Sequence, residues 1–283
     1  MRSVVAIGGG HGLSLVLEAL VGRCESLTGV VSVADDGGSS GRLRRDLGIV
    51  APGDLRRCLA ALAPKSPARD AVEHRFGTGV LAGHPTGNVL LASLLTQTGD
   101  PVVAADTFGE MIGAQGRVLP ATAVPIDLLA SAERGVVKGQ VAISEGGGIH
   151  GLTYSPEDPP VPDDVVSAIE AADLIVLGPG SLYSSVLAPL VPGVVRALGN
   201  RRGTLVYVVN LEPEAGETDG YVVDDHIAAV ISHGVEPDVV LADTQSPSEG
   251  RYADKLVSCE LKEMGESVHD PDRLVAALAS VSS

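Results

Sequence analysis

The residues best suited to chemistry near the start of the chain form a glycine-rich run. Gly9, Gly10 and Gly12 surround His11 and join an apolar run at 3–8 to a helical pattern. Glycine lets a backbone approach a phosphate closely, and a helix amino terminus offers free N–H groups and positive potential. The run therefore predicts an anion cradle, with a plain tight turn as the alternative.

Two adjacent aspartates follow the next apolar run, which covers 27–34. Asp35 and Asp36 could together hold Mg²⁺ through oxygen ligands while positions remain for the phosphates of a ligand. One carboxylate could instead bind ribose hydroxyls, or both could cap the loop through hydrogen bonds to its backbone. Mg²⁺ is thus the only cofactor that the sequence suggests.

Several arginines lie close to these aspartates. Arg42 and Arg56 stand beside glycine-containing segments, and their guanidinium forks suit phosphate oxygens. Arg45 and Arg57 are predicted instead to lie on solvated helix faces. Asp54, just before Arg56, fits either a ligand contact or a helix N-cap.

Two later segments repeat the combination of glycine, polar side chains and a helix start. His84 and Asn88 flank a helix opening at which Thr86 could equally act as the cap. Gly180 and Ser181 join a buried apolar run to a helix, as the first glycine run does. Two such turns facing one crevice predict an anion site more specifically than either turn alone.

The polar loop after the next apolar run adds Asn210 and Thr218 as contacts for a sugar. No catalytic residue is assigned. The predicted ligand-binding residues are Gly9, Gly10, His11, Gly12, Asp35, Asp36, Gly38, Ser39, Arg42, Asp54, Arg56, His84, Asn88, Gly180, Ser181, Asn210 and Thr218.

The elements that must position these residues alternate between strand and helix. This alternation predicts an α/β fold with a Rossmann-like, doubly wound and mostly parallel sheet. Predicted strands cover 3–8, 27–34, 173–177, 205–209 and 238–242, and predicted helices cover 53–63, 86–95, 164–171 and 222–233. Residues 35–42 are predicted to form a long loop, and 68–79 to be irregular.

The middle of the chain has a different pattern. Two apolar runs, 126–130 and 136–143, flank a polar turn at 133–135 and predict an antiparallel hairpin in a smaller inserted lobe. A proline-rich stretch at 156–162 is the best candidate for the lobe boundary. We expect a single domain with a core of 1–122 and 164–245, an inserted lobe at about 123–163, and a tail of 246–283 packing on the core.

Composition excludes several classes of function. The 283 residues are 45% hydrophobic but only 2% aromatic, which favours a core of Val, Leu, Ile and Ala as in helix-covered parallel sheets. A formal net charge of −16 argues against binding to nucleic acids or anionic membranes, which attract clustered Lys and Arg. The three cysteines show no metal-binding spacing, and neither a signal peptide nor a membrane span is evident. A soluble cytoplasmic protein is expected.

Five segments of the sequence carry a family resemblance: Gly8–Gly12, Val33–Arg42, Pro52–Arg56, Gly116–Thr122 and Gly178–Tyr183. Together they resemble the YvcK-type gluconeogenesis factor family, which is related to the 2-phospho-L-lactate transferase (CofD-like) superfamily. The resemblance runs from residue 1 to about residue 245.

This resemblance implies a Rossmann-like core with a smaller lobe, and a ligand of the UDP-sugar class such as UDP-N-acetylglucosamine. It also implies a role in cell shape and wall synthesis during growth on gluconeogenic carbon sources. Within the glycine and aspartate motifs, it implies phosphate contacts at Gly9, Gly10 and Gly12, and ribose or metal contacts at Asp35 and Asp36. Arg42 would contact a phosphate, and Asn88, Asn210 and Thr218 would be further contacts.

Two functions remain open at this point. The favoured one is a regulator that binds a UDP-sugar and signals envelope status to a protein partner, because no acid/base pair is apparent. The other is a Mg²⁺-dependent transferase of a phospho group from a nucleotide-diphosphate-linked donor. A nicotinamide enzyme is disfavoured because Leu13 stands where the dinucleotide fingerprint requires glycine. Association with a second copy of the chain also stays open.

Overall fold

The fold is built around one parallel sheet. The computed structural model describes residues 2–133 and 135–282. In that part of the chain seven strands pair in the order β10-β9-β8-β7-β1-β2-β3, and every pairing is parallel. These strands are β1 (Ser3–Gly8), β2 (Ser26–Val31), β3 (Arg117–Pro120), β7 (Leu174–Leu177), β8 (Thr204–Val208), β9 (Val239–Asp243) and β10 (Leu256–Cys259).

Helices cover both faces of this sheet, as buried parallel strands require. Alternate side chains of β1 enter separate hydrophobic clusters, with Val4 and Ala6 in one and Val5 and Ile7 in the other. The helices are α1 (Gly10–Leu20), α2 (Gly38–Leu47), α3 (Pro52–Leu62), α4 (Pro67–Glu73), α5 (Thr86–Thr98), α6 (Pro101–Ile112), α7 (Gln140–Ser144), α8 (Asp163–Ala171), α9 (Pro192–Gly199), α10 (Val223–Ser232) and α11 (Pro271–Val281), with a π-helix at Leu182–Val186.

A smaller antiparallel sheet lies between β3 and α8 in the sequence. Its strands β4 (Asp127–Ala132), β5 (Gly135–Lys138) and β6 (Ile149–Ser155) pair in the order β5-β4-β6. The predicted α/β class, Rossmann-like sheet and inserted hairpin are therefore confirmed. Arg134, in the predicted hairpin turn, lies outside the described residues. Leu128 and Leu152 of the small sheet belong to one of the two core clusters of the large sheet, so the two sheets share buried apolar contacts.

Strands lie on both sides of β1 in the sheet, and their order indicates where a ligand would be expected to bind. From β1 the sequence passes to β2 and β3 on one side, then returns to β7 on the other side and continues to β10. β1 and β7 are neighbours, so the strand order reverses between them. In open α/β sheets, ligands bind at such a switch point, beyond the carboxyl ends of the strands.

The prediction of a long loop over 35–42 is wrong, because α2 begins at Gly38. The glycine and serine residues serve close packing here. A side chain on Gly41 would collide with the Asp36 backbone, and Ser40 Oγ accepts a hydrogen bond of 2.7 Å from the Gly53 N–H. A polar, glycine-rich composition can therefore belong to the first turn of a helix, as it does in α2.

Other elements differ from prediction for local reasons. Residues 68–79 are not wholly irregular, since α4 begins at Pro67 and Ser66 caps it by accepting from the Arg69 N–H. The second strand of the hairpin ends at Lys138 rather than 143, because Gly139 (φ +100°) turns the chain into α7. α6 and β6 were not predicted at all.

The tail of the chain contributes a strand and a helix to the fold. β10 extends the sheet beside β9, and α11 lies against α1 with Leu274 and Leu278 buried. Arg23, after α1, forms an ion pair of 2.6 Å with Asp272 of α11. None of the helices described here is both long and apolar enough to cross a bilayer.

His226 illustrates how a polar side chain is carried inside this apolar fold. It is buried in α10 against the ring of Tyr221, and its Nδ1 has no hydrogen-bond partner among the described residues. Burial lowers the pKa of the imidazole to about 4, whereas Asp225 acts weakly in the opposite direction. The ring is therefore neutral in the fold at pH values where the unfolded chain protonates it.

We predict that His226→Phe reduces the loss of stability on acidification. The stability associated with a neutral ring is complete above the unfolded pKa of about 6.5 and is lost as the pH falls toward the folded value. Between about pH 7.5 and about pH 5, this linkage amounts to about 2 kcal/mol. Urea unfolding of both proteins at both pH values measures it, and an equal pH dependence in the two proteins would contradict the prediction.

Candidate functional site

A cavity of about 450 Å³ lies at the switch point, beyond the carboxyl ends of β1 and β7. It is open to solvent and is bordered by the amino terminus of α1, the turn before the π-helix, and segments from the second half of the chain. The lining residues are Gly9, Gly10, His11, Gly12, Leu15, Asp35, Asp54, Arg57, Gln140, Pro179, Gly180, Ser181, Ser185, Asn210, Glu214, Ser267, Val268 and His269.

The two glycine turns predicted to face one crevice do meet here. α1 starts at Gly10, which has φ +61°, and its N-cap residue Gly9 supplies no side-chain cap. A side chain on Gly12 would collide with the carbonyl oxygen of Pro179, so the first turn of α1 packs directly on the second glycine turn. The N–H groups of His11 and Gly12 have no acceptor within the helix, since they belong to its first turn.

Asp54 fixes the position of α1 relative to α3. Its carboxylate accepts a hydrogen bond of 2.9 Å from the Gly10 N–H and forms an ion pair of 2.9 Å with Arg57. Asp54 is in the first turn of α3 but does not cap it, because the N-cap residue is Ala51. Burial raises the pKa of Asp54, and Arg57 and the Gly10 N–H act against this rise.

Arg57 was predicted to lie on a solvated helix face, and this prediction is wrong. Its side chain is about a quarter exposed and lines the cavity, held there by Asp54. The pKa of His11, at the same wall, is lowered most by the charge of Arg57, next by burial and then by the charge of Arg56. The cavity thus has a guanidinium donor at this wall, although the charge of Arg57 is matched by that of Asp54. Arg45 is exposed, as predicted, and donates to the Asp36 carbonyl.

Asp35 and Asp36 point to different partners. Asp35 lines the cavity, and its Oδ1 accepts from the Gly37 N–H at 2.9 Å. Burial, and next the charge of Asp54, raise the pKa of Asp35. Asp36 does not line the cavity, since its Oδ1 accepts from the Val141 N–H at 3.1 Å and so joins α2 to α7. Of the adjacent pair, only Asp35 lines the cavity, where it is joined by Asp54 of α3 and Glu214 of the loop after β8.

This arrangement tests the expected Mg²⁺ site. Among residues 2–133 and 135–282, no three His, Cys, Asp or Glu side chains converge as a metal-ligand set. Asp35 and Asp54 already accept backbone hydrogen bonds, yet each carboxylate oxygen can accept more than one contact. A Mg²⁺ ion at this wall would take its remaining ligands from water and from the phosphates of a bound nucleotide.

Five of the predicted ligand residues form a separate polar cluster between α2, α3 and α5. Ser39 Oγ lies 2.8 Å from His84 Nδ1 and accepts from Asn88 Nδ2 at 3.0 Å. Arg56 Nε donates to Asn88 Oδ1 at 3.1 Å, and Arg42 donates to the Ala82 carbonyl. None of the five lines the cavity. Their hydrogen bonds hold α2 and α5 against α3, which carries Asp54.

The alternative role of Thr86, as the cap of α5, is wrong. The N-cap residue is Pro85, and the Thr86 hydroxyl donates to the His74 carbonyl at 3.3 Å. Gly38 also lies outside the cavity wall and starts α2 with φ +44°.

The loop after β8 places Asn210 on the cavity wall but Thr218 beneath it. Asn210 Nδ2 donates to Glu214 Oε1 at 3.0 Å, and both residues line the cavity. Thr218 is buried, and its hydroxyl accepts from the Glu214 N–H at 2.8 Å. The next residue back, Glu217, accepts from the N–H groups of Tyr183 and Ser184 at the start of the π-helix. The loop is thus fixed to the second glycine turn.

Several wall residues were not predicted from the sequence. The π-helix contributes Ser185, α7 contributes Gln140, and the tail contributes Ser267, Val268 and His269. Gln140 Nε2 donates to the Ser184 carbonyl at 2.9 Å, which holds α7 against the π-helix. Because the tail carries no glycine motif, only its return to the carboxyl edge of the sheet through β10 brings these residues to the cavity.

The fold and the cavity define a Rossmann-like protein with a cavity at the sheet switch point, bordered by two glycine turns. The sequence profile of the family described as 2-phospho-L-lactate transferase CofD matches residues 4–279. The chain therefore belongs to the CofD family, and the family resemblance noted in the sequence is confirmed.

Relatives within this family carry the name of gluconeogenesis factor. The gluconeogenesis factor of Bacillus subtilis is 41% identical over 81% of this chain and 74% of its own length. A Mycobacterium leprae protein, which carries the same name provisionally, is 41% identical over 99% of this chain and 86% of its own. A crystal structure of a Bacillus halodurans protein superimposes with a TM-score of 0.90 at 35% identity, covering 99% of each chain.

We predict that Gly12→Ala lowers the free energy of unfolding by about 2–4 kcal/mol, because backbone at the Pro179 carbonyl must move to admit a methyl group. Gly199→Ala is the matched control, since a Cβ on Gly199, in the last turn of α9, meets no atom within 4 Å. Denaturant unfolding of both variants measures the difference. Equal stabilities would show that the two glycine turns are not in tight contact.

Proposed function

We propose that this protein binds a UDP-sugar, such as UDP-N-acetylglucosamine, at the switch-point cavity and acts as a gluconeogenesis factor that regulates cell shape and envelope synthesis. The observation that carries the proposal is the meeting of two glycine turns and Arg57 around a single cavity. Membership of the family described as 2-phospho-L-lactate transferase CofD supports a nucleotide-type ligand. The names of its relatives support the gluconeogenic role. A cytoplasmic location and a protein partner in envelope synthesis remain predictions.

The diphosphate is assigned to the end of the cavity formed by α1. The N–H groups of His11 and Gly12 and the guanidinium of Arg57 lie at this wall, and a helix amino terminus favours anions. The uridine and sugar would extend toward Asn210 and the loop after β8, where side-chain amide and carboxylate groups suit hydroxyl donors. Arg42, Arg56, His84 and Asn88 then act by holding α2, α3 and α5 in place.

One observation favours a transferase as the second candidate. Asp35 and Asp54 converge on the cavity wall, and burial and mutual repulsion raise the pKa of Asp35. A divalent cation relieves this kind of repulsion, and Mg²⁺ would neutralise charge on a diphosphate leaving group. We favour the regulator because Asp54 is committed to the Gly10 N–H and Arg57, which leaves Asp35 without a second carboxylate free to complete an acid/base pair.

We predict that Arg57→Ala weakens binding of UDP-N-acetylglucosamine about tenfold, because it removes a charge-assisted contact to phosphate. Arg45→Ala is the control, since this arginine of α2 is exposed, donates to the Asp36 carbonyl and lies outside the cavity wall. Isothermal calorimetry measures both, and thermal unfolding confirms that each variant is folded. Arg57→Lys should recover part of the affinity because it keeps the charge without the guanidinium fork. Absence of binding to the wild type would refute the UDP-sugar assignment.

We further predict that wild-type protein incubated with UDP-N-acetylglucosamine and Mg²⁺ releases no UDP or UMP. Chromatography of the mixture after prolonged incubation, with and without a chelator, measures release. Asp35→Asn and Asp36→Asn form a matched pair, because only the first of these carboxylates lines the cavity. Release that requires Asp35 but not Asp36 would replace the regulator with the transferase.

A further inference from the structure

The segment Lys262–His269, termed here the C-terminal loop, joins β10 to α11 and forms one side of the cavity. The Asp270 N–H donates to the Leu261 carbonyl at 2.8 Å, so the two ends of the loop are held together. Leu261 is buried, and its N–H donates to Asp243 Oδ2 at the end of β9. The loop therefore projects from a fixed base at the carboxyl edge of the sheet.

A second contact orients the loop toward the predicted sugar end of the cavity. Lys262 Nζ lies 3.2 Å from Glu212 Oε1, in the same loop that places Asn210 and Glu214 on the wall. The Lys262 side chain is only 10% exposed, whereas that of Glu212 is 58% exposed, so the pair lies at the surface and fixes mainly the direction of the lysine. The two loops thus face the cavity from a shared support.

His269 differs from the rest of the C-terminal loop in being almost completely buried. The residue lines the cavity with only 5% of its surface exposed, whereas Val268 beside it is 60% exposed. Its Nε2 has no hydrogen-bond partner among the residues that the structure describes. A buried polar atom without a partner is uncommon in native proteins and costs free energy, which a ligand that bonds to it can recover.

The protonation of this ring follows from its other neighbours. Burial lowers the pKa of His269 to about 4, and a hydrogen bond to the Val209 carbonyl, at the end of β8, acts in the opposite direction. The ring is therefore neutral near pH 7. Since Nε2 is unpartnered, the hydrogen bond to the Val209 carbonyl is made by Nδ1. A carbonyl only accepts, so Nδ1 must carry the ring proton in order to donate. Nε2 is then an acceptor.

We propose that His269 is a specificity-determining residue whose Nε2 accepts a hydrogen bond from an O–H or N–H group on the non-phosphate part of the ligand. An acceptor nitrogen is repelled by phosphate oxygens, so it cannot serve the diphosphate end. The inference rests on the proposed nucleotide-type ligand, and it adds that recognition of the base or sugar depends on the tail of the chain.

The test compares three probes by calorimetry: UDP-N-acetylglucosamine, UDP and inorganic diphosphate. We expect His269→Phe to weaken binding of the nucleotide sugar about tenfold, because a ring of similar shape lacks the acceptor. Diphosphate binding should stay unchanged. His269→Gln, whose Oε1 can occupy the place of Nε2, should restore most of the affinity. If His269→Phe weakens binding of UDP as much as binding of the nucleotide sugar, the donor group lies on the base or ribose. If binding of UDP is not weakened, the donor group lies on the sugar.

His226→Phe is the control for replacing a buried histidine, since its pKa is also lowered to about 4 and it lies outside the cavity. It should leave all three affinities unchanged, and thermal unfolding shows whether each variant is folded. Equal weakening of diphosphate and nucleotide sugar by His269→Phe would overturn the proposal while the proposed function stands. Nitrogen-detected NMR at neutral pH reports which ring nitrogen of His269 carries the proton, and a proton on Nε2 would also overturn the proposal. Wild-type protein that binds diphosphate but no nucleotide would overturn both.

Discussion

The carboxylate of Asp54 is the interaction on which the site depends. It joins the first turn of α3 to the first turn of α1 through the Gly10 N–H, and it holds Arg57 over the cavity. A buried carboxylate is costly unless it is paired and hydrogen-bonded, and here a backbone N–H and a guanidinium together meet that cost. Removing Asp54 would free the helix start and leave a partly buried arginine without its partner, so the placement of Arg57 at the cavity depends on this buried acid.

That pairing acts within a wider constraint, which is close packing at the switch point. The first turn of α1 leaves no space for a Cβ on Gly12 against the Pro179 carbonyl, and Gly41 packs in the same way on the Asp36 backbone. Both contacts bring helix starts to the carboxyl edge of the sheet, where free N–H groups can meet an anion. The glycines are needed for proximity of backbone segments as much as for flexibility.

The sequence was sufficient to predict the sheet, the inserted hairpin and the two glycine turns, because these depend on local apolar pattern and on glycine. The sequence did not show which of Arg56 and Arg57 faces the cavity, since adjacent residues of a helix differ only in the direction in which their side chains point. The structure buries Arg56 against Asn88 and turns Arg57 to the cavity. Likewise, adjacency suggested Asp35 and Asp36 as a pair, whereas tertiary packing brings Asp35 to Asp54, nineteen positions later in the chain.

The tail shows most clearly why local patterns are insufficient. Nothing in Ser267-Val268-His269 resembles a ligand motif, and the segment reaches the cavity only because β10 pairs with β9 and returns the chain to the same edge. The two ends of the cavity then differ in the groups that they offer a ligand. Helix N–H groups and Arg57 can donate at one end, beside the carboxylates of Asp35 and Asp54, while the proposed acceptor His269 Nε2 and the oxygens of Asn210 and Glu214 belong to the other. A ligand with an anionic part and a hydroxyl- or amide-bearing part would match both ends, and local N–H donors of this kind would let a chain with net charge −16 bind an anion without a basic surface.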